Sequence, residues 1–298
     1  MIRTIRGCIT FLLVLLNAIW IILIVTPLGL LRLVPIKPFQ ILVLKLNEKL
    51  AELYLFLNSR IQDLMHGADY RVEGMEKLKK DIWQFTTINH LSWADIFLFL
   101  YFTNTLQSVP RIFMKSQLWW LPITWTANLG LAMPYVVRRS KEAIMANPEL
   151  AKTDKQATLR ACKVHELFPT NVAGFIEGTR IDKEKYDASN SKFKNLMPPK
   201  IGGMGYTLEV MPYIDHLTDI TLVYNSDKRG FWDFLCGDLR QASVTINTYK
   251  IPEELRGQDY SNNDELRAKL KTFLEEIWEE KDQIIEREKQ RYGIKSVF

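Results

Sequence analysis

Asn89-His90-Leu91-Ser92-Trp93-Ala94-Asp95 joins two kinds of pattern. Before it, the apolar run 82–88 reads as a β-strand. After it, Ile96-Phe97-Leu98-Phe99-Leu100-Tyr101 reads as the start of a buried helix. Loops at strand ends are open to ligand, so a histidine and an acid at such a junction are placed for chemistry. An imidazole titrates near neutrality, and His90 can therefore accept a proton at pH 7. Asp95 can fix its tautomer and stabilise the imidazolium that forms. Ser92-x-x-Asp95 also has the form of a capping box, in which Asp95 would only hold the Ser92 amide. The two readings are compatible. Five residues apart on a regular helix, His90 and Asp95 would point about 140° away from each other. With Ser92 as the cap, His90 precedes the helix, Asp95 lies in its first turn, and the two can meet.

Outward from this junction the chain alternates. Strands are expected over 82–88, 111–114, 132–137, 172–176, 220–224 and 243–249. Helices are expected over 92–102, 117–128, 153–168, 203–210 and 264–291. This alternation predicts an α/β sandwich with a largely buried sheet. The last helix puts Leu266, Leu270, Phe273, Leu274, Ile277 and Trp278 on one face, which should pack on the sheet.

Residues 7–31 contain no charged residue. As helix they would span roughly 37 Å, and about 20 apolar residues suffice to cross a bilayer core. The run is too long for a typical signal peptide, and no cleavage pattern of small residues follows it. A retained membrane anchor is expected, with Pro27 ending or kinking the helix near Val25–Thr26. Basic residues flank both ends, Arg3 and Arg6 before, and Arg32, Lys37, Lys45 and Lys49 after. The slight excess after the run favours a cytoplasmic body. Residues 39–64 form a second, amphipathic helix with Leu42, Leu46, Leu50, Leu53, Leu57, Ile61 and Leu64 on one stripe. That stripe either packs on the globular domain or lies at a membrane surface. The expected organisation is an anchor over 1–68 and a catalytic domain over 69–298.

The chain has 298 residues with 24% charged and 47% hydrophobic, and a net charge of +5. The charge suits a neighbour of anionic lipid or a handler of phosphate. Cys8, Cys162 and Cys236 are far apart and have no metal-ligand spacing, so no metal site and no disulfide framework is expected. There is no G-x-S-x-G, H-E-x-x-H or P-loop pattern.

Three further stretches end strands or rigid turns. In Phe175-Ile176-Glu177-Gly178-Thr179-Arg180, Gly178 permits a close backbone approach, and Thr179 and Arg180 can donate to phosphate oxygens. The competing reading is an exposed turn with a weak Glu–Arg pair. Pro134-Tyr135-Val136-Val137-Arg138-Arg139 offers two arginines, either a second phosphate clamp or a solvated basic surface or lipid-headgroup contact. Pro198-Pro199-Lys200-Ile201 delivers Lys200 ahead of a helix, and Lys115 is a further basic candidate. His66, His165 and His216 carry little weight, and His216 is the only rival to His90. Trp119, Trp120 and Trp125 read most simply as core, with an acyl groove or an interfacial belt as the alternatives.

The order and spacing of these stretches resemble the glycerolipid acyltransferases that include 1-acylglycerol-3-phosphate O-acyltransferase. The family's first motif, Asn-His followed by four residues and Asp, is matched by Asn89, His90 and Asp95. Its Phe-x-Glu-Gly-Thr/Ser-Arg motif is matched by Phe175, Glu177, Gly178, Thr179 and Arg180. Its Phe-Ile-x-Arg motif is matched loosely by Tyr135, Val136 and Arg138. The resemblance spans roughly 70–250, and the segment 195–200 looks like that of a bacterial branch.

The resemblance implies a glycerolipid acyltransferase-like αβ sandwich with an N-terminal membrane-anchoring two-helix element. It implies His90 as general base, Asp95 as its orienting acid, and Arg138, Glu177, Gly178, Thr179 and Arg180 around the phosphate of the acceptor. Asn89, Lys115, Arg139 and Lys200 are secondary candidates. The acceptor would be lysophosphatidic acid or a related lysophospholipid. The donor would be acyl-CoA or acyl carrier protein, with no acyl-enzyme, no further cofactor and no nucleic-acid partner. The place implied is the bacterial inner membrane, with the catalytic domain facing the cytoplasm. A membrane-anchored thioesterase or a non-catalytic lipid-binding protein are the alternatives.

Overall fold

The computed structural model describes residues 1–79, 81–106, 109–136, 148–261 and 263–298. Two long helices come first, α1 (Ile2–Leu30) and α2 (Lys37–His66). Then follow β1 (Asp69–Glu73), β2 (Gln84–Ile88), α3 (Asp95–Leu106), β3 (Arg111–Ile112), β4 (Met114–Lys115), α4 (Pro122–Trp125) and β5 (Tyr135–Val136). The remainder is α5 (Pro148–Cys162), β6 (Asn171–Gly174), α6 (Lys183–Ser189), α7 (Ile201–Val210), β7 (His216–Tyr224), α8 (Phe231–Leu235), β8 (Gln241–Lys250) and α9 (Asp264–Tyr292).

Among the described residues, six strands form one sheet in the order β1-β8-β7-β2-β6-β3. Every pairing is parallel except β7 with β8. Strand β2 is buried along its whole length. Such burial requires helices on both faces, and the alternation along β7 shows which ones. Asp219 bonds Lys281 of α9, and Tyr224 bonds Asp95 of α3. Five positions apart on a strand, the two side chains point to opposite faces. The sheet is therefore sandwiched between α9 and α3. The face of α9 continues the expected one: Leu266, Leu270, Leu274, Ile277 and Trp278 are buried, and Lys281, Ile285 and Glu288 carry it on.

Several local expectations are corrected. The run 111–114 splits after Ile112: β3 joins the main sheet, while β4 pairs with β5 in a separate two-stranded sheet. The run 132–137 begins as strand only at Tyr135, because Ala132 adopts a left-handed φ of 57°. Residues 117–128 form no single helix. Pro122 forces Leu121 into an extended conformation, and a 3-10 turn, α4 and a π-turn share the segment. Strand β1 was hidden by its composition: Asp-Tyr-Arg-Val-Glu is polar, as suits an exposed edge. Trp119 and Trp120 do not enter the core; they are 64% and 62% exposed.

Helix α1 runs through Pro27 to Leu30 rather than ending near Val25–Thr26. Tertiary contacts hold its last turns. Thr26 shares a hydrogen bond of 2.8 Å with Thr126, and Arg32 donates to the Asn128 carbonyl at 3.0 Å. Gly29 lies so close to Leu129 and Gly130 that an added Cβ would sit 2.6 Å from backbone. At the other end, Arg3 pairs with Asp233 at 2.5 Å and Asp238 at 2.6 Å.

The second helix packs inside out. Its leucine stripe turns mostly outward: Leu42, Leu46, Leu53 and Leu64 are exposed, and Leu50, Leu57 and Ile61 are half-buried. The buried face is Val43, Leu44, Asn47, Ala51, Leu55, Asn58, Ser59, Gln62 and His66. Two side-chain amides donate across the seam. Asn47 donates to the Gly130 carbonyl, and Asn17 of α1 donates to the Tyr54 carbonyl. Helix α1 likewise buries Gly7, Thr10 and Asn17 and exposes Phe11, Leu12, Leu16 and Leu23. Residues Ile2–Leu33 are long and apolar enough to cross a membrane. Cys8, Cys162 and Cys236 are free thiols.

Candidate active site

Strands β2 and β6 are parallel neighbours, with Thr87 opposite Gly174. Three residues beyond each lie His90 and Glu177. The register thus brings two motifs 87 residues apart to the same edge of the sheet, at the carboxyl ends of its parallel strands. The Glu177 Oε1 accepts the His90 backbone N–H at 3.1 Å. The Ile181 N–H donates to the His90 carbonyl at 2.9 Å, and the Phe175 ring stacks on the imidazole with centroids 3.9 Å apart. Main chain and ring of His90 are both held by the segment 175–181.

His90 Nδ1 lies 2.9 Å from Asp95 Oδ2. Asp95 is fully buried and its carboxylate is saturated with donors. Oδ2 also accepts the Leu91 and Ser92 amides at 2.6 and 2.7 Å, and Oδ1 accepts the Tyr224 hydroxyl at 2.7 Å. A carboxylate oxygen that accepts two amides leaves the facing Nδ1 of His90 the donor's part in this contact. Burial, then the charge of Asp95, pushes the Tyr224 phenol well above its ordinary range, so it stays a donor. His90 Nε2 has no hydrogen-bond partner among the described residues and is free to accept a proton.

The capping pattern is half formed. The helix starts at Asp95, not Ser92, and Asp95 does hold the Ser92 amide. The Ser92 hydroxyl accepts the Ala94 amide and donates to the Arg229 carbonyl at 2.7 Å. Asn89 is wholly buried and points away from the site. Its side chain spans to β7, donating to the Leu222 carbonyl at 2.9 Å and accepting the Leu222 amide at 2.8 Å.

Glu177 has no exposed surface and lies against the His90 main chain. Burial pushes its carboxyl up to about 8, against the lowering influence of the His90 amide, Lys281 and the Met197 amide, and Asp95 adds to the rise. Its Oε2 has no hydrogen-bond partner. Beyond it the chain turns outward. Gly178 has φ +75°, and a Cβ there would meet Lys200 Cδ at 3.0 Å, so the Lys200 side chain lies across the turn. The Arg180 guanidinium sits 4.5 Å over the Trp93 ring. A cleft of about 280 Å³ opens beside these groups, lined by Leu91, Arg180, Lys183, Lys185, Arg229 and Phe298 among others.

Lys115 is exposed on β4, with Val136 as its partner on β5. Arg138 and Arg139 lie outside the described residues. The other histidines are elsewhere. His216 begins β7 opposite Gln84, at the far end of the sheet, roughly 20 Å from His90 by strand rise. His165 is buried, donates from Nε2 to the Ala132 carbonyl at 3.1 Å, and is held down to about 3 by burial. His66 is buried against the Leu235 carbonyl. Among the described residues no group of acids, histidines and cysteines could hold a metal.

One contributor escaped sequence reasoning, Tyr224. Tyr224 ends an expected strand and carries no motif; only the pairing of β7 with β2 puts it against Asp95.

Among solved structures the chain is similar to the 1-acyl-sn-glycerophosphate (LPA) acyltransferase PlsC from Thermotoga maritima. The TM-score is 0.53 at 18% sequence identity, over 96% of this chain and 98% of that one. At that identity the likeness speaks for the fold. No protein-family model and no curated protein matches the chain.

Proposed function

We propose that this chain is a membrane-associated O-acyltransferase that moves an acyl group from acyl-CoA or acyl carrier protein to the free hydroxyl of a lysophospholipid. The observation that carries the reading is the His90–Asp95 pair: a buried, four-fold hydrogen-bonded carboxylate on Nδ1 and an unpartnered Nε2 beside a cationic turn. A fold shared with an LPA acyltransferase supports the same class of reaction.

In this reading Nε2 takes the proton from the acceptor hydroxyl as its oxygen attacks the thioester carbon. Asp95 stabilises the imidazolium. The C–S bond breaks, and the leaving thiolate takes the proton back from Nε2. The ester is formed, the thiol is released, and no acyl-enzyme is needed. Arg180, steadied on Trp93, and Lys200 supply positive charge for the acceptor's phosphate, with Thr179 and Gly178 shaping the approach. Arg138, Arg139 and Lys115 are further basic candidates on the acceptor side. Glu177 and Asn89 serve the base from behind, through its main chain and its strand. The outward apolar faces of α1 and α2 suit a bilayer that supplies the lipid, with the body on the cytoplasmic side of a bacterial inner membrane.

The test is incubation of detergent-purified protein with several lysophospholipids and with both acyl-CoA and acyl carrier protein donors, read by mass spectrometry. The expected result is a diacyl product that disappears in a folded His90→Ala variant. Full turnover by that variant would overturn the reading. Thioester consumed at the same rate without any lysolipid would identify a hydrolase instead.

A further inference from the structure

Arg229 follows β7 and belongs to no motif, yet it is tied to the base. Its carbonyl accepts the Ser92 hydroxyl at 2.7 Å, and the Leu91 and Ser92 amides hold Asp95 Oδ2. Its guanidinium is held on main-chain carbonyls. Nη1 donates to Val297, and Nη2 donates to Ser226 at 3.3 Å and Ser296 at 3.4 Å. The residues after α9 make a firm mount for it. Val297 is 1% exposed and packs in the core, and the Phe298 ring lies on Tyr186 of α6 with centroids 4.6 Å apart. Residues 296–298 thus bridge the loop after β7 to α6, and Phe298 lines the same cleft as Arg180 and Arg229.

Charge around that cleft is unevenly spent. Lys185 pairs with Asp182, and Lys183 pairs with Asp187 at 3.4 Å. Arg180 rests on the Trp93 ring and Arg229 on carbonyls, and among the described residues neither has a carboxylate partner. A half-buried guanidinium held by neutral dipoles keeps its whole charge while losing part of its hydration. An anion in the cleft would offset that loss with charge-assisted hydrogen bonds. The cleft also adjoins the base. Leu91 and Ile181 line it, and the Ile181 N–H donates to the His90 carbonyl at 2.9 Å. In lysophosphatidic acid the reacting hydroxyl and the phosphate sit on neighbouring carbons, so the phosphate must bind close to the base.

We propose that Arg229 is a second binding residue for the acceptor's phosphomonoester, lining one cleft with Arg180 and held ready by residues 296–298. The inference rests on the lysophospholipid reading of the site. Coenzyme A also carries a phosphomonoester, and the test separates the two sources.

The experiment uses full-length, detergent-solubilised protein and no acyl donor. Wild type is treated with the arginine reagent phenylglyoxal, alone or with lysophosphatidic acid, monoacylglycerol or coenzyme A. Modification at each arginine is read by peptide mass spectrometry. Lysophosphatidic acid should protect Arg229 and Arg180 together, and the other two compounds should protect neither. Binding of lysophosphatidic acid and of monoacylglycerol is then compared in wild type, Arg229→Gln and Arg229→Lys. Glutamine keeps donors for the carbonyls and removes the charge. Kd for lysophosphatidic acid should rise about tenfold or more in Arg229→Gln, the loss of one hydrogen bond to a charged group. Arg229→Lys, which restores a point charge, should recover most of it, to within about threefold of wild type. Monoacylglycerol should bind all three alike, whereas a residue that only staples residues 296–297 would weaken both ligands equally. Equal weakening overturns the inference. So does an Arg229 modified as fast with lysophosphatidic acid as without it, or one protected by coenzyme A alone. Protection is read on wild type and decides the matter even if Arg229→Gln does not fold. Neither measurement needs turnover, so a chain that binds lysophosphatidic acid through Arg229 without transferring acyl groups would sink the acyltransferase reading and leave this one standing.

Discussion

Tyr224 donates its hydroxyl to Asp95 Oδ1 at 2.7 Å, from the last residue of β7 to the first residue of α3. This bond occupies the carboxylate oxygen that does not face His90. It fixes the rotation of the Asp95 side chain, and so the aim of Oδ2 at the imidazole.

Tyr224→Phe keeps the buried ring and removes one donor. It should cost about 1–3 kcal/mol of stability, as a buried carboxylate loses a partner. Turnover should fall about tenfold, equivalent to roughly 1.4 kcal/mol of barrier, with KM for the acceptor little changed. Denaturant unfolding and steady-state kinetics check both halves. A tenfold rise in KM with unchanged kcat would contradict this role.

Arg180 and Trp93 form one unit at the mouth of the site. Arg180→Ala should raise KM for a lysophospholipid by more than it lowers kcat. Trp93→Leu removes the ring beneath the guanidinium at a cost of about 0.5–1 kcal/mol. It should raise the same KM only two- to five-fold, roughly. Acceptors lacking a phosphate should be insensitive to both changes, which a comparison of headgroups would reveal.

Asn89→Leu should act on stability more than on chemistry. The side chain makes two hydrogen bonds to the Leu222 backbone in a fully buried place, and losing both leaves a buried donor and acceptor unpaired. The expected loss is about 2–4 kcal/mol. Asn89→Asp should be worse still, because a carboxylate oxygen would face the Leu222 carbonyl. Thermal unfolding measures this directly.

Glu177 gives stability a pH dependence of known sign. Its carboxyl lies near 4.5 when unperturbed and at about 8 in the fold, so folding favours its neutral form. The stabilisation is complete below about 4.5 and is lost as pH rises through about 8. Glu177→Gln should remove that slope. Its melting temperature relative to wild type should therefore rise steadily between pH 5 and pH 9. A constant difference across the range would show that the fold does not raise the Glu177 carboxyl above its ordinary range.

The outward leucines of α2 predict a separation of folding from membrane binding. Leu42, Leu46 and Leu53 contribute little to the packed face, so changing all three to serine should leave the melting temperature nearly unchanged. Co-sedimentation with lipid vesicles should weaken strongly, because each exposed leucine would otherwise contribute about 1.5–3 kcal/mol on burial. Loss of folding would mean that the stripe packs on protein.

Much of this could be read along the chain. The alternation of short apolar runs with helical periodicity specified an α/β sandwich, because period and length are local properties. The strand ends carrying His90–Asp95 and Glu177–Arg180 were visible for the same reason: glycine, charge and histidine break an apolar run. What the sequence could not decide was which medium a stripe faces. The leucines of α2 fall on one side of the helix whether that side meets a sheet or a lipid, and only packing showed Asn47, Ser59 and Gln62 turned inward. Nor could it pair partners far apart in the chain. Tyr224 meets Asp95 across 129 residues, and Lys281 meets Asp219 across 62, through strand register and helix docking. Local sequence determined which side chains can do chemistry. The tertiary structure decided which of them touch, and buried Glu177 against the His90 main chain, because a hydrogen bond depends on distance in space and periodicity reports only distance along the chain.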